Sequence, residues 1–175
     1  AGISIAFADL ASNAGTTVTS VTDGSAVTLD LTAPELTTVS IASDNDDYPA
    51  VANEGDVITV TLTANEDITG VSVSIAGHVA TVSGSGGTYM GSYTVDGADI
   101  TWGDAASISI DFQDMAGNAG TTVTATKDSS TVVIDLTAPT LTLVRIVSSN
   151  ANGIALVNYG DTITLAMTAG EAILR

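Results

Sequence analysis

The segment Asp44-Asn45-Asp46-Asp47 puts three carboxylates and an amide into four consecutive residues. Like charges at that spacing repel unless a cation sits among them. Calcium takes roughly six to eight oxygen ligands, several of them carboxylate, and loops supply these readily. The candidate calcium ligands, in order of preference, are Asp44, Asp46, Asp47, Asp135, Glu66 and Asp114. The acidic segment is not an EF-hand loop, because the required glycine and the closing glutamate are missing. It is not a Gly-rich calcium nonapeptide either. A plainer use competes: Asp and Asn side chains bond nearby backbone amides and so favour turns.

Catalytic groupings are absent. His78 is the one histidine, it has no cysteine to act with, and it follows Ala76-Gly77 in a strand or hairpin pattern. No Gly-x-Ser-x-Gly elbow and no phosphate-cradling loop followed by a helix occurs. The pair Glu66-Asp67 has the right groups for acid–base work, but no cleft is legible around it. Phe112 shares a strand face with Ile108 and Ile110, which places it in a core. Tyr89 and Tyr93 also share a face, as core residues or as a small exposed platform for sugars. The chain is expected not to be an enzyme.

Charge narrows the partners. The 175 residues carry 20 acidic and three basic side chains, a formal charge of −17. Such a chain repels nucleic acid and anionic membrane surfaces and attracts cations. There is no cysteine, so no disulfide staples the fold. No apolar run is long enough to span a bilayer, and no signal peptide is visible. Thr, Ser, Val and Ile abound while Lys and Arg are scarce, a mixture suited to half-buried strands.

The elements that position these residues follow from an internal repeat. "DLTAP" stands at Asp30–Pro34 and again at Asp135–Pro139, 105 residues on. The same offset aligns "FADLASNAGTTVT" from Phe7 with "FQDMAGNAGTTVT" from Phe112, and "GDVITVTLTANEDI" from Gly55 with "GDTITLAMTAGEAI" from Gly160. Laying 1–70 over 106–175, 38 of the 70 positions are identical without a gap. The chain therefore divides into 1–30, the end of one repeat; 31–135, a complete repeat; and 136–175, the start of the next. Ala1 falls inside a repeat, so any targeting signal lies upstream, and the protein is expected to continue past both ends. The two partial repeats together lack the counterpart of about 71–105. The acidic segment does not recur: its counterpart is Ser149-Asn150-Ala151-Asn152.

A period of this size suits one β-sandwich domain. Alternating patterns predict strands at Thr37–Ser43, Val57–Thr63, Val71–Ile75, Tyr89–Val95, Ser107–Phe112, Thr121–Thr126 and Thr131–Ile134. Turns are expected at 53–56, along Ser83–Gly87, at Asp96-Gly97 and at Gly117-Asn118. Val39, Ile41, Ile58, Val60, Leu62, Ile108, Ile110, Phe112 and Val123 are the core candidates.

Three landmarks, in this order and spacing, carry a resemblance. They are Gly55-Asp56 opening a strand that ends in Thr63-Ala64-Asn65-Glu66, then Asp114-Met115-Ala116-Gly117-Asn118, then Asp135-Leu136-Thr137-Ala138-Pro139 at the junction. Along its whole length the chain resembles the bacterial immunoglobulin-like (Ig-like) repeats of giant surface adhesins and related exported proteins. The resemblance implies an all-β fold, an Ig-like antiparallel β-sandwich in tandem repeats, arrayed head to tail outside the cell or on the bacterial surface. It also implies calcium at the junctions. The antibody hallmarks are missing: there is no cysteine pair, and Trp102 lies late in the repeat. In such a sandwich Asp44–Asp47 lies at the pole where the chain leaves, near Asp135. Glu66, Asp67 and Asp114–Asn118 lie at the pole where it arrives, near Asp30.

The expected function is a structural spacer of a cell-surface or secreted adhesin, stiffened by calcium, whose partners are neighbouring Ig-like repeats of the same chain. The alternatives are a subunit of an extracellular filament or matrix fibre, built with other copies of the chain, and a repeat that itself binds a protein or carbohydrate.

Overall fold

A computed structural model of the chain describes residues 2–98 and 105–173. Trp102 lies outside the described residues. The strands are β1 (Leu36–Ser43), β2 (Val51–Ala52), β3 (Val57–Ala64), β4 (Ile68–Ile75), β5 (His78–Val79), β6 (Thr81–Ser85), β7 (Thr88–Thr94), β8 (Ile108–Asp114), β9 (Val133–Ile134), β10 (Leu141–Ser148) and β11 (Ile163–Ala169). No helix occurs among the described residues. The chain is all-β and divides into two units, Ala1–Ile134 and Asp135–Arg175.

In the first unit, one antiparallel sheet has the order β1-β3-β7-β6 and a second has the order β5-β4-β8. Period-two alternation sorts their residues by face. Val39 and Ile41 of β1, Ile58, Val60 and Leu62 of β3, Val73 and Ile75 of β4, and Ile108, Ile110 and Phe112 of β8 are all buried. The Thr and Ser residues between them are more exposed. The two sheets face each other in a sandwich-like arrangement. Gly91 of β7 marks the contact, since a Cβ there would lie 2.8 Å from Cβ of Val73 in β4. Tyr89 and Tyr93 flank Gly91 and share its face. The Tyr89 hydroxyl donates to the carbonyl of Ile68 (2.9 Å), and Tyr93 stacks on His78 of β5 with ring centroids 4.7 Å apart. Both tyrosines thus reach toward the opposite sheet.

Several expectations needed correction. Thr121–Thr126 is not a strand. After bridging β8 through Ala119 and Val123, the chain turns toward β1, where the Lys127 amide donates to the Val39 carbonyl (2.8 Å). The Ile41 amide then donates to Oγ of Ser130 (2.9 Å). A segment whose bonds are divided between two sheets cannot form one ladder, and Val123 is consequently only half-buried. Only Val133–Ile134 of the last expected strand pairs, in parallel with Val51–Ala52. The Ser83–Gly87 run is half strand: β6 extends to Ser85, and the turn is confined to Gly86-Gly87.

In the second unit β10 and β11 pair antiparallel, with Val144 opposite Met167 and Ile146 opposite Leu165. Their register break between Leu141 and Leu143 repeats the one between Leu36 and Thr38. The likeness extends to single hydrogen bonds. The Asn45 side-chain amide donates to Oδ2 of Asp56 (3.1 Å), and that of Asn150 to Oδ2 of Asp161 (2.7 Å). Thr37 Oγ1 donates to the Thr63 carbonyl, and Thr142 Oγ1 to the Thr168 carbonyl.

Candidate metal centre

Three segments of the first unit bring carboxylates together. Asp114 ends β8, and the next residues reverse the chain, with Gly117 at φ 93°. That left-handed conformation suits glycine, which has no Cβ to clash. The reversal lays Asn118 against Asp114. The Asn118 amide donates to Oδ1 and its side-chain amide to Oδ2, both at 2.7 Å. The side-chain amide of Asn118 also donates to the carbonyl of Asp30 (3.2 Å). Asp30 in turn accepts the Thr32 amide at Oδ1 (3.0 Å). Glu66 is set by Asn65, whose side chain accepts the Glu35 amide while its own amide donates to the Glu35 carbonyl, both 2.9 Å. The chain arriving at β1 is thereby tied to the β3–β4 turn.

The result is a cluster of Asp30, Glu66 and Asp114, each offering one carboxylate oxygen within 4.8 Å of the others. Asp114 is buried, and the other two are half-buried. Burial raises the pKa of Glu66, and the negative charges of Asp30, Asp114 and Asp67 raise it further. Burial also pushes Asp114 upward, but the hydrogen bonds from Asn118, Gly117 and Ala116 prevail and hold it below the ordinary range. One carboxylate is thus fixed in its charged form, while its neighbour is short of stabilising charge.

The donor set fits a hard divalent cation. Oxygens bound to one calcium at about 2.3–2.6 Å lie up to about 5 Å apart, the spacing found here. Three carboxylates provide between three and six ligands, depending on how many bind through both oxygens. Asp30, Glu66 and Asp114 would hold the ion, and Asn118 would orient Asp114.

Of the expected ligands, Glu66 and Asp114 meet, joined by Asp30. Asp44, Asp46, Asp47 and Asp135 enter no cluster of three or more acidic groups among the described residues. Their loop uses its polar groups locally. Asp44 Oδ1 accepts the Val57 amide (2.7 Å), and Asn45 Oδ1 accepts the amides of Asp47 and Tyr48 (3.2 and 3.0 Å). In the second unit Ser149 takes the place of Asp44, its Oγ accepting the Thr162 amide (2.9 Å). A serine suffices there, so the position needs an acceptor and not a charge. Asp46 and Asp47 face solvent, and Asp135 accepts the Thr137 amide within its own turn.

The role of Asn118 was missed. Its signal was the Asp-x-x-x-Asn spacing present twice, at Asp9–Asn13 and Asp114–Asn118. The first pair makes the same two bonds, at 2.8 and 2.7 Å.

Comparison with protein-family models, with curated proteins and with solved structures finds no match.

Proposed function

We propose that the chain is a section of an array of Ig-like sandwich repeats, serving as a spacer in a bacterial surface or secreted adhesin and carrying no catalytic activity. The observation that carries this reading is the recurrence, at one fixed offset, of sequence, register break and individual hydrogen bonds. The strand order β1-β3-β7-β6 supports the Ig-like reading, since it corresponds to the ABED sheet of that fold, while β4 and β8 stand where C and F do, with β5 added beside β4 and residues 119–123 bridging β8 in the place of G. Calcium is the proposed ligand of Asp30, Glu66 and Asp114. Because Asp30 lies on the chain arriving at β1, an ion there would tie the incoming segment to the sandwich and limit its swing.

Pulling the chain between residues 31 and 135 tests the spacer reading. One cooperative unfolding step is expected, releasing roughly 3.5 Å for each of the residues between the handles, with a higher unfolding force in calcium than in chelator. Gradual extension in many small steps would contradict it.

A further inference from the structure

We propose that the first unit bears end-to-end load, and that the contact of residues 127–134 with β1 and β2 is the clamp that holds it. The clamp rests on the spacer reading proposed above and says where in the repeat a pulling force is resisted.

The chain enters the unit along β1 and leaves it through β9. Beside β1 and β2 the last segment runs in the same direction as they do. Lys127 N donates to Val39 O (2.8 Å), Ile41 N to Ser130 Oγ (2.9 Å) and Val133 N to Ala50 O (2.9 Å). Val51 and Ala52 pair in parallel with Val133 and Ile134. Residue numbers rise together on both sides of this seam, so the entering and leaving ends lie at its opposite extremes. A force drawing residue 31 one way and residue 135 the other slides the two sides past each other. All the bonds of the seam then stretch together, and none is loaded ahead of the rest. Opening the same seam from one end would load them in turn.

Packing closes the seam. Val39, Ile41, Ala52, Val132 and Ile134 are all buried, so sliding would carry apolar side chains out of the core. The leaving segment is also held from the other side, where Ala106 N donates to Val132 O (2.7 Å).

Ser130 is the one side chain among the seam's hydrogen bonds. Its Oγ donates to Oδ1 of Asp128 (2.6 Å), and the same oxygen accepts the Ser130 amide (3.0 Å). The turn puts Ser129 at φ 64°, a left-handed conformation unfavourable for a residue with a Cβ. The turn recurs at the offset of 105. Asp23 Oδ1 accepts the Ser25 amide (3.0 Å), and Gly24 between them has φ 75°. The aspartate and the serine stay the same, and only the middle residue changes.

Single-molecule pulling of the 175-residue chain in chelator tests the clamp. The chain has no cysteine, so introduced cysteines make unique handles. Leu31→Cys/Asp135→Cys loads the seam in shear. Asn53→Cys/Asp135→Cys places the handles just past Ala52 and Ile134, at the same end of two parallel strands, and opens the seam from that end. The unfolding force should be severalfold higher in shear. Ser130→Ala should lower the shear force and leave the opening force unchanged. Forced unfolding reads the unfolding rate, so a melting control separates clamp from general stability. Val73→Ala, at a buried position in β4 away from the seam, should lower the melting midpoint at least as far as Ser130→Ala does, and the shear force less. Equal forces in the two geometries, or a shear force that Ser130→Ala leaves intact, would overturn the clamp alone, provided the repeat still unfolds in one step. Gradual extension in many small steps would overturn the spacer reading and the clamp together.

Discussion

Asn118 occupies both oxygens of the Asp114 carboxylate, one through its backbone amide and one through its side chain, each at 2.7 Å. The same side chain reaches the carbonyl of Asp30. One asparagine thus fixes a buried carboxylate and holds the incoming chain beside it.

Asn118→Ala should lower the melting midpoint, because it leaves the Asp114 carboxylate buried with one fewer donor. Asn13→Ala, which removes the equivalent exposed bond, should leave the midpoint unchanged. Equal losses from the two variants would mean that the Asn118 bond matters only as a local turn.

The pH dependence separates two carboxylates. Asp114 is held below its ordinary value, so its contribution is present above the unfolded pKa and is lost as pH falls through the folded one. Glu66 is raised above its ordinary value by burial and by the charges of Asp30, Asp114 and Asp67, so the folded state binds more protons there, and its contribution is lost as pH rises through the folded value. Glu66→Gln should therefore raise the midpoint at neutral pH in chelator and flatten the pH profile on the alkaline side of the ordinary carboxylate range. In calcium the same variant should gain less than the parent. A Glu66→Gln midpoint below the parent's in chelator would show that the charges do not oppose one another.

Asp44→Ser should be near neutral, within about half a kcal/mol as for ordinary surface changes, and should leave the calcium response intact. The geometry of Ser149 shows a serine making the equivalent bond. Loss of the calcium response in Asp44→Ser would move the site to the acidic loop.

Leu62→Ala should cost roughly 2–5 kcal/mol, because Leu62 is fully buried and its removal leaves a cavity. Met167→Ala, at the equivalent but exposed position, should cost less than about half a kcal/mol in the dilute monomer. Denaturant midpoints at low protein concentration provide the check. A small loss at Leu62 would remove it from the core.

How far these features could be read from sequence depended on which side of a strand faces the core. β1, β3 and β8 bury one face each, so Val39, Ile58 and Ile110 alternate cleanly with Thr and Ser. β4 begins three residues before the alternation suggests, because its register shifts between Thr69 and Ser72, where Gly70 has φ 62°. β5 and β6 are short and mostly exposed, so nothing in their pattern marks a buried face. The same limit governed the site. Topology placed Glu66, Asp114 and Asp30 at one pole, but charge density alone favoured Asp44–Asp47, where Asp44 accepts the first amide of β3, Asn45 caps amides of its own loop, and Asp46 and Asp47 are exposed. Ligand geometry depends on which carboxylates are brought together across the fold, and local composition does not encode it.

The most direct test is the melting of the 175-residue chain in calcium and in chelator, alongside Asp30→Asn/Glu66→Gln and Asp46→Asn/Asp47→Asn. The parent should be stabilised by calcium, by about 2.7 kcal/mol at a hundredfold excess over Kd. The Asp46/Asp47 variant should keep that gain, and the Asp30/Glu66 variant should lose most of it. An unchanged parental midpoint, or a calcium gain that survives in the Asp30/Glu66 variant, would contradict a cation held by Asp30, Glu66 and Asp114.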